Sequence, residues 1–476
     1  MSFRLTEQQD ADAVSVIRGL AMDAPLAAKS GHQGTAMSLA PLGHVLFSRI
    51  MRHSPKDANW RNRDRFILSN GHASILQYAL LFLNGYGLEL DDIKKFRQFE
   101  SATPGHPEVG HTAGVEVTTG PLGQGFANAV GMAIAERHLR ARFGAVACDH
   151  HTFVLAGDGC FMEGISHEAA SLAGHLKLDR LICIFDDNGI TIDGSTSLSC
   201  SDDVAKRFSS YGWNVMQLGE IADDMDALED ALITARSNLG APTLCILKSH
   251  IGTPSPDFTD NHEAHGNPFN AGHVAATKKV MGIPDEPFWA PTVLVEAIRK
   301  NAIARGTELV SSYNKDIASL SESYLWDAAW STPNSSSFSS LLPSYDETAT
   351  FATRQIIQKV LDASLPALPG LVSGSADLTG NTGTKLSKQV AQSSKAPDGR
   401  QIYFGIREHA MGAAIVGMAL HGGVLPIAGT FFVFADYMRP AIRLAAISGA
   451  RCVFIFSHDS VGVGEDGPTH QPVEQL

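Results

Sequence analysis

The sequence predicts an α/β protein made of two doubly wound domains on mostly parallel sheets, the second of them cut short. Three observations carry that reading. From Leu5 to about Gly252, helix-length amphipathic segments alternate with short apolar runs. The same alternation resumes after residue 350. Between the two lies STPNSSSFSSLLPSYDETAT, residues 331–350, a Ser- and Pro-rich stretch that reads as a linker. Alternation favours parallel sheets, because each strand is followed by a helix that covers the sheet on the way to the next strand. At 476 residues the chain is too long for one core. Residues 1–330 are therefore expected to form the first domain and residues 351–476 the second.

The opening MSFRLTEQQDADAVSVIRGLAMDA has an amphipathic helix pattern and lacks the apolar core of a signal peptide. Strands are expected at Phe153–Ala156, Leu181–Phe185, Trp213–Leu218 and Thr243–Lys248, and a helical extension of mixed charge from Pro291 to Trp330. Beyond the linker the pattern predicts a helix at Thr353–Ala363 and strands near Leu371–Ser373, Gly423–Ile427 and Cys452–Phe456. Helices are expected at His409–His421 and Ala435–Ile447. An alternating sheet domain normally continues with another helix and strand, so a second domain ending at Leu476 reads as incomplete.

A formal net charge of −13, with no basic run, argues against nucleic acid as a partner. It does not argue against anionic substrates, which a few local Arg and His residues can hold. No stretch approaches the length of a membrane span. The six cysteines include no CxxC pair and several fall in apolar runs. They read as small core residues in a reducing compartment, and the cytoplasm is the expected location.

The densest chemistry lies in HTFVLAGDGCFMEGISHEAASLAGHLKLDRLICIFDDNGITIDG, residues 151–194. One apolar run ends in Gly157-Asp158-Gly159 and another in Asp186-Asp187-Asn188-Gly189, with a helical segment between. In a parallel sheet both strand ends open onto one edge, so Asp158 and Asn188 can converge. A carboxylate, an amide oxygen and a backbone carbonyl suit a hard cation such as Mg²⁺, with the other positions left to phosphate or water. The spacing resembles the diphosphate–metal signature of thiamine-diphosphate enzymes, with Asp187-Asn188 in place of an Asn pair. That resemblance implies Asp158, Asn188 and the carbonyl of Ile190 as metal ligands.

Histidines recur beside glycine or proline: His32 in SGHQG, His72 in SNGHAS, His106 in PGHPEVGH, His265 in EAHGNP and His470 in GPTHQP. Clustered imidazoles can bond sugar hydroxyls and shuttle protons near neutral pH. A His-rich metal site is the rival reading, although no pair has helical ligand spacing. TTGPLGQG, residues 118–125, is a turn opening onto a helix, suited to phosphate or to a planar ring. Glu408 heads an apolar helix, either as a dipole partner or as a buried, partly protonated carboxyl that exchanges a proton with a heterocyclic nitrogen. Phe431, Phe434 and Tyr437 read as core packing or as the slot for such a ring.

Taken in order, SGHQG, LSNGHAS, TPGHPEVGHT, TTGPLGQG, GDG…DDNGI, HGNP, GSADLTGN, GIREHAMG, TFFVFADYMR and HDSVGVGEDGPTHQPVEQ resemble transketolase over the whole chain. The resemblance implies reversible transfer of a two-carbon ketol unit. The donors are ketose phosphates such as xylulose 5-phosphate or sedoheptulose 7-phosphate. The acceptors are aldose phosphates such as ribose 5-phosphate, erythrose 4-phosphate or glyceraldehyde 3-phosphate. It implies thiamine diphosphate with Mg²⁺, Ca²⁺ or Mn²⁺, two cofactor-binding domains, and a homodimer with the cofactor at the subunit interface.

By the same resemblance the catalytic groups are Glu408, His265, His470 and His32. Cofactor contacts fall to His72, Gly120, Leu122, Gly159, Glu163, Asn188, His265, Glu408, Phe431, Phe434 and Tyr437. Substrate contacts fall to His32, His106, His265, Arg354, Asn381, His458, Asp466 and His470, with Arg354 and His458 on the phosphate. Glu163 and Glu168 match positions at the dimer interface. One departure stands out: the bacterial-type pattern has Ser shortly after SADL where this chain has Asn381, which implies an altered phosphate contact. The family continues past this point with a further phosphate-binding Arg and a third domain, neither of which is expected here. Dihydroxyacetone synthase, a non-catalytic cofactor-binding protein and an inactive fragment are the alternatives.

Overall fold

Strand Thr152–Gly157 pairs in parallel with Arg65–Leu68 on one side and Leu181–Asp187 on the other in the computed structural model of the chain. The model describes residues 4–331, 339–460, 462 and 464–475. Thr243–Lys248 and then Asn214–Gly219 complete a five-stranded sheet, in that order. Every pairing in it is parallel, as the alternation predicts. The inner strands are buried over almost their whole length, which is why they read as continuous apolar runs rather than alternating ones. A second, four-stranded sheet is also parallel throughout, in the order Val453–Ser457, Leu425–Phe431, Leu371–Ser375, Gln401–Tyr403. The exception to the parallel rule is a two-residue ribbon, Ile190–Thr191 with Gly194–Ser195.

The chain divides into two compact units. The first takes in residues 1–126, 150–164 and 179–315, the second residues 127–149, 165–178 and 316–476. In the first, helix Glu7–Ala28 starts at Thr6, whose hydroxyl accepts from the Gln9 amide while the Gln9 side chain accepts from the Thr6 amide. This reciprocal cap satisfies donors that a helix start would otherwise leave orphaned. The helix buries two carboxylates, and each has partners: Asp10 meets His44 and Arg49, and Asp23 meets Lys278 at 2.9 Å and the amide of Phe288 at 2.7 Å. Paired in this way, charged groups are tolerated beside a large aliphatic core.

In the second unit, helices Gln124–Phe143 and Glu408–His421 approach closely enough to exclude side chains at their crossing. A Cβ on Gly131 would lie 1.9 Å from the carbonyl oxygen of Ala414, and one on Gly417 would lie 2.0 Å from that of Asn128. The Asn128 amide donates to the Ala413 carbonyl at 2.8 Å across the same crossing. A smaller core of Leu361, Leu368, Leu371, Leu386 and Ile427 lies against the second sheet.

Of the expected linker, residues 332–338 lie outside the described residues. The expected helices and strands elsewhere are present with ends shifted by a few residues; among the described residues the two strands of the Ile190–Ser195 ribbon had not been expected, nor had two strands of the sheets, Arg65–Leu68 and Gln401–Tyr403. Both are short edge strands, of four and three residues. None of the six cysteines is in a disulfide, and Cys148, Cys160, Cys183 and Cys245 are buried. Among the described residues no helix is long and apolar enough to cross a membrane.

In most helix interiors Gly→Ala stabilises by about 1 kcal/mol. At Gly131 the sign should reverse. Overpacking costs about 1–3 kcal/mol, so Gly131→Ala is expected to lower the urea midpoint of unfolding, whereas Ala at the open Gly164 should not.

Candidate active site

The register of the first sheet sets Gly157 opposite Asp186. The residues that follow each, Asp158 and Asp187-Asn188, therefore emerge at one edge. Gly189 turns the chain with φ +69° and donates its amide to Asp158 Oδ2 at 3.2 Å. The Asn188 amide donates to Asp186 Oδ2 at 2.7 Å, and its oxygen accepts from the Ile190 amide at 2.9 Å. Ser249 donates to the other oxygen of the buried Asp186. Three carboxyl groups thus crowd one strand edge. Burial first, then the Asp186 and Asp187 charges, push Asp158 up to about 7. Burial likewise pushes Asp186 up to about 6, against the hydrogen bonds from Ser249 and Asn188.

Above this floor opens a cleft of about 460 Å³. Its wall is a group of imidazoles: the ring centroids of His72 and His265 are 4.8 Å apart, those of His32 and His72 5.2 Å, and those of His32 and His265 5.8 Å. His106 lines the same cleft, as do Gly120, Leu122, Gly159, Asn188 and Ile190. Burial lowers all four imidazoles. It takes His32 down to about 4, with help from the Arg97 guanidinium and from His265 and His106. The wall is neutral at physiological pH.

Glycines let the segments close up. A Cβ on Gly71 would meet Thr119 Oγ1 at 2.4 Å, one on Gly159 would meet the Leu122 side chain at 2.8 Å, and Gly120 has φ +140° beside the His106 ring.

These residues fit a diphosphate with a divalent cation. The carboxylates at the floor repel one another, and a cation between them would relieve that repulsion. Asn70 Oδ1, Thr119 Oγ1 and His265 Nδ1 are buried without a hydrogen-bond partner among the described residues. Orphaned polar atoms of this kind are costly unless a ligand or water completes them.

The second unit gathers its own set. Glu408 is the first residue of helix Glu408–His421 and is 9% exposed, and burial raises its carboxyl above the usual range. The Ala410 amide two residues on donates to Glu168 Oε2 at 2.9 Å. Phe431 and Phe434 stack at 5.8 Å, Phe434 meets Tyr437 at 5.8 Å and His470 at 5.3 Å, and the His458 ring lies 3.9 Å from Phe431. Tyr437 is not core packing, since it is 65% exposed, whereas Phe431 is buried and Phe434 half-buried. Arg354 and Asn381 are exposed, near the starts of helices Thr353–Ser364 and Thr379–Thr382. Glu163 and Asp466 are exposed as well.

Sequence reasoning missed Asn70, Thr35, Asp186 and Arg97. Asn70 sits inside LSNGHAS, directly before the glycine that brings His72 into the cleft, so its position carried a signal. Arg97 carried none: it meets His32 across 65 positions of sequence.

Residues 9–332 match the family model for the transketolase thiamine diphosphate binding domain, and residues 349–476 the model for the transketolase pyrimidine binding domain. The chain belongs to the transketolase family. A transketolase from Nostoc sp. is 46% identical over 99% of this chain and 72% of its own length. That of Aquifex aeolicus is 45% identical over 100% and 69%. Among solved structures, transketolase from Leishmania mexicana has a TM-score of 0.93 at 41% identity, covering 98% of this chain and 70% of that one. A Pichia stipitis transketolase in complex with sedoheptulose 7-phosphate gives 0.94 at 40%, covering 99% and 71%. Transketolases transfer a two-carbon ketol unit reversibly between sugar phosphates, and this chain is an enzyme of that family with thiamine diphosphate-binding domains.

The neutral imidazoles of this transketolase-family cleft make acid destabilising. Below about pH 6.5 the unfolded chain takes up protons that the folded His32 refuses until about pH 4. Asp158 and Asp186 act in the opposite sense, because their raised values let the folded state take protons first. Comparing variants isolates the imidazole. His32→Gln should flatten the acid-side loss of stability, measured by urea unfolding between those limits, by up to about 1.4 kcal/mol per pH unit.

Proposed function

We propose that this chain carries out transketolase chemistry at a site assembled from the cleft of the first unit of one copy and the second unit of its partner in a homodimer. The carrying observation is the crowded carboxyl floor beneath a neutral imidazole wall. That pairing suits a metal-bound diphosphate at one end of the cleft and a polyhydroxylated substrate at the other. The domain division follows the same reading: residues 1–330 for the diphosphate and metal, 331–350 as linker, and 351–476 for the pyrimidine. The family models support it by matching 9–332 and 349–476. The cytoplasm and the pentose phosphate pathway or Calvin cycle are the proposed setting.

Asp158, the Asn188 side-chain oxygen and the Ile190 carbonyl would hold the cation, with Mg²⁺ the best match to an all-oxygen donor set beside phosphate. Gly120, Leu122, Gly159, His72 and His265 would hold the cofactor from the first unit, with Glu163 at the subunit boundary. Glu408, Phe431, Phe434 and Tyr437 would hold it from the second. When bound, thiamine diphosphate supplies the electron sink that lets a carbon–carbon bond beside a carbonyl break and form.

The protein's part is position and protons. The Glu408 carboxyl, raised by burial, would face a ring nitrogen of the pyrimidine and exchange a proton with it. His106 and His265, being uncharged, each offer one N–H donor and one bare nitrogen to sugar hydroxyls, and with His32 and His470 they move protons on the substrate oxygens. Arg354, Asn381 and His458 would grip the substrate phosphate. Asn381 contributes an amide donor there, weaker than the fork of an arginine. Asp466 would read hydroxyl stereochemistry.

Two measurements test this reading. With xylulose 5-phosphate as donor and ribose 5-phosphate as acceptor, Glu408→Gln should lower kcat by about 10²–10⁴-fold with an unchanged circular dichroism spectrum. Turnover at the original rate would overturn the proton assignment. Asp158→Ala should weaken Mg²⁺-dependent thiamine diphosphate binding, followed by fluorescence quenching, by more than about 100-fold. Outer-shell partners alone are worth about 10–100-fold at such sites. Solution mass belongs to the same experiment, since full turnover by a monomer would exclude the shared site.

A further inference from the structure

Arg97 stands behind the imidazole wall and is not among the residues that line the cleft. Its guanidinium reaches His32 Nδ1 with one terminal nitrogen at 3.2 Å and Ser30 Oγ with the other at 2.8 Å. Its backbone is held as firmly: φ is +61°, a left-handed value that costs a non-glycine residue about 1–2 kcal/mol, and its amide donates to the Thr103 carbonyl at 3.0 Å. The Phe96 ring lies 5.6 Å from the guanidinium carbon. A long cation held at its backbone and at both terminal nitrogens, with its guanidinium against the Phe96 ring, is kept facing His32.

A guanidinium has donors and no acceptor, and it keeps its proton at any physiological pH. The nitrogen of His32 that it meets must therefore be the bare one. The ring's single proton is left on Nε2, on the edge where Gly266 stands, whose built Cβ would lie 3.5 Å from Nε2 and Cδ2. Glycine there leaves that edge clear of a neighbouring side chain.

We infer that Arg97 is a positioning residue that fixes His32 as the neutral Nε2–H tautomer, presenting a hydrogen-bond donor to the substrate side of the cleft. The charged and titratable groups facing His32 are Arg97, His72, His106 and His265, and none of them is a carboxylate that would favour the imidazolium. Paired with a carboxylate in place of Arg97, the same ring would carry a proton on each nitrogen at mildly acidic pH. The inference rests on the proposed transketolase reading for what Nε2–H is used for, and on the local geometry alone for the tautomer.

The test uses the full chain with histidine labelled by ¹⁵N at both ring nitrogens. The His32 signals are assigned as those missing in His32→Gln. From about pH 5 to pH 8, the unchanged chain should show Nδ1 bare, Nε2 protonated and no titration. Arg97→Met keeps the length of the side chain but removes donor and charge, and should give His32 a mixed tautomer and a titration shifted up toward that range, with burial still holding it below the free value. Arg97→Lys should restore the original signals. Ser30→Ala alters an exposed residue that anchors the guanidinium and should shift His32 in the same direction as Arg97→Met but less, which keeps the test decisive if the Met variant fails to fold.

A proton on Nδ1 in the unchanged chain would overturn the inference. So would a folded Arg97→Met or Ser30→Ala variant whose His32 signals are unmoved. In the ketol-transfer assay Arg97→Met should lower kcat about tenfold or more, with cofactor affinity within about twofold of the original. Unchanged turnover in a variant whose tautomer has shifted would strike the substrate role of His32 and leave the tautomer assignment standing.

Discussion

Everything chemical in the first unit depends on one pairing, the parallel register of Thr152–Gly157 with Leu181–Asp187. Parallel strands deliver their carboxyl ends to the same edge, and a register that sets Gly157 opposite Asp186 places the next residues of each strand side by side. A slip of one residue would turn Asp158 to the opposite face of the sheet, because side chains alternate along a strand. The buried apolar runs of both strands make such a slip costly. The core that stabilises the fold is therefore also what holds the carboxylates together against their mutual repulsion, visible in the raised values of Asp158 and Asp186.

The two ends of the cleft handle charge in opposite ways. At the floor, buried acids accumulate and the local field calls for a cation. At the wall, imidazoles accumulate and burial keeps them neutral, with the Arg97 guanidinium adding to that effect at His32. Burial alone penalises ionisation at both ends. What distinguishes them is the sign of the neighbours. Asp158 has Asp186 and Asp187, which a divalent ion can bridge. His32 has a guanidinium, which leaves a neutral ring as the favoured state. A site that binds a diphosphate at one end and bonds sugar hydroxyls at the other needs that difference over a few ångströms.

Much of this was legible in the sequence because it is local. The GDG and DDNG ends, the glycine-rich turn, the His–Gly pairs and Glu408 at a helix start are short patterns whose backbone geometry travels with them. The sheet strands missed, Arg65–Leu68 and Gln401–Tyr403, are short edge strands whose existence depends on the neighbour that pairs with them. Arg97 was invisible for a different reason. Its segment, KKFRQFES, resembles a solvated charged turn, and its partner lies on another loop, brought near only by the folding of the helix that starts at Glu7. Asn70 was legible in principle, since it precedes the Gly71 that no side chain could replace against Thr119, but a single amide in a loop has too many ordinary uses to stand out.

Glu408 shows how packing can reserve a residue for chemistry. A carboxylate at a helix start is normally stabilised as the anion by the exposed N–H groups and the helix dipole. Here the Ala410 amide is already taken by Glu168, which reaches in from helix Gly164–Leu176. The crossing at Gly131 and Gly417 seats the Glu408–His421 helix against Gln124–Phe143. Burial raises the Glu408 carboxyl although its own backbone amide hydrogen-bonds to it. The Glu408 charge in turn helps to raise the Glu168 carboxyl, after burial, so replacing Glu408 by Gln would lower the Glu168 value. Two carboxyls on different helices thus meet at one helix start, and a change of charge at Glu408 is felt at Glu168.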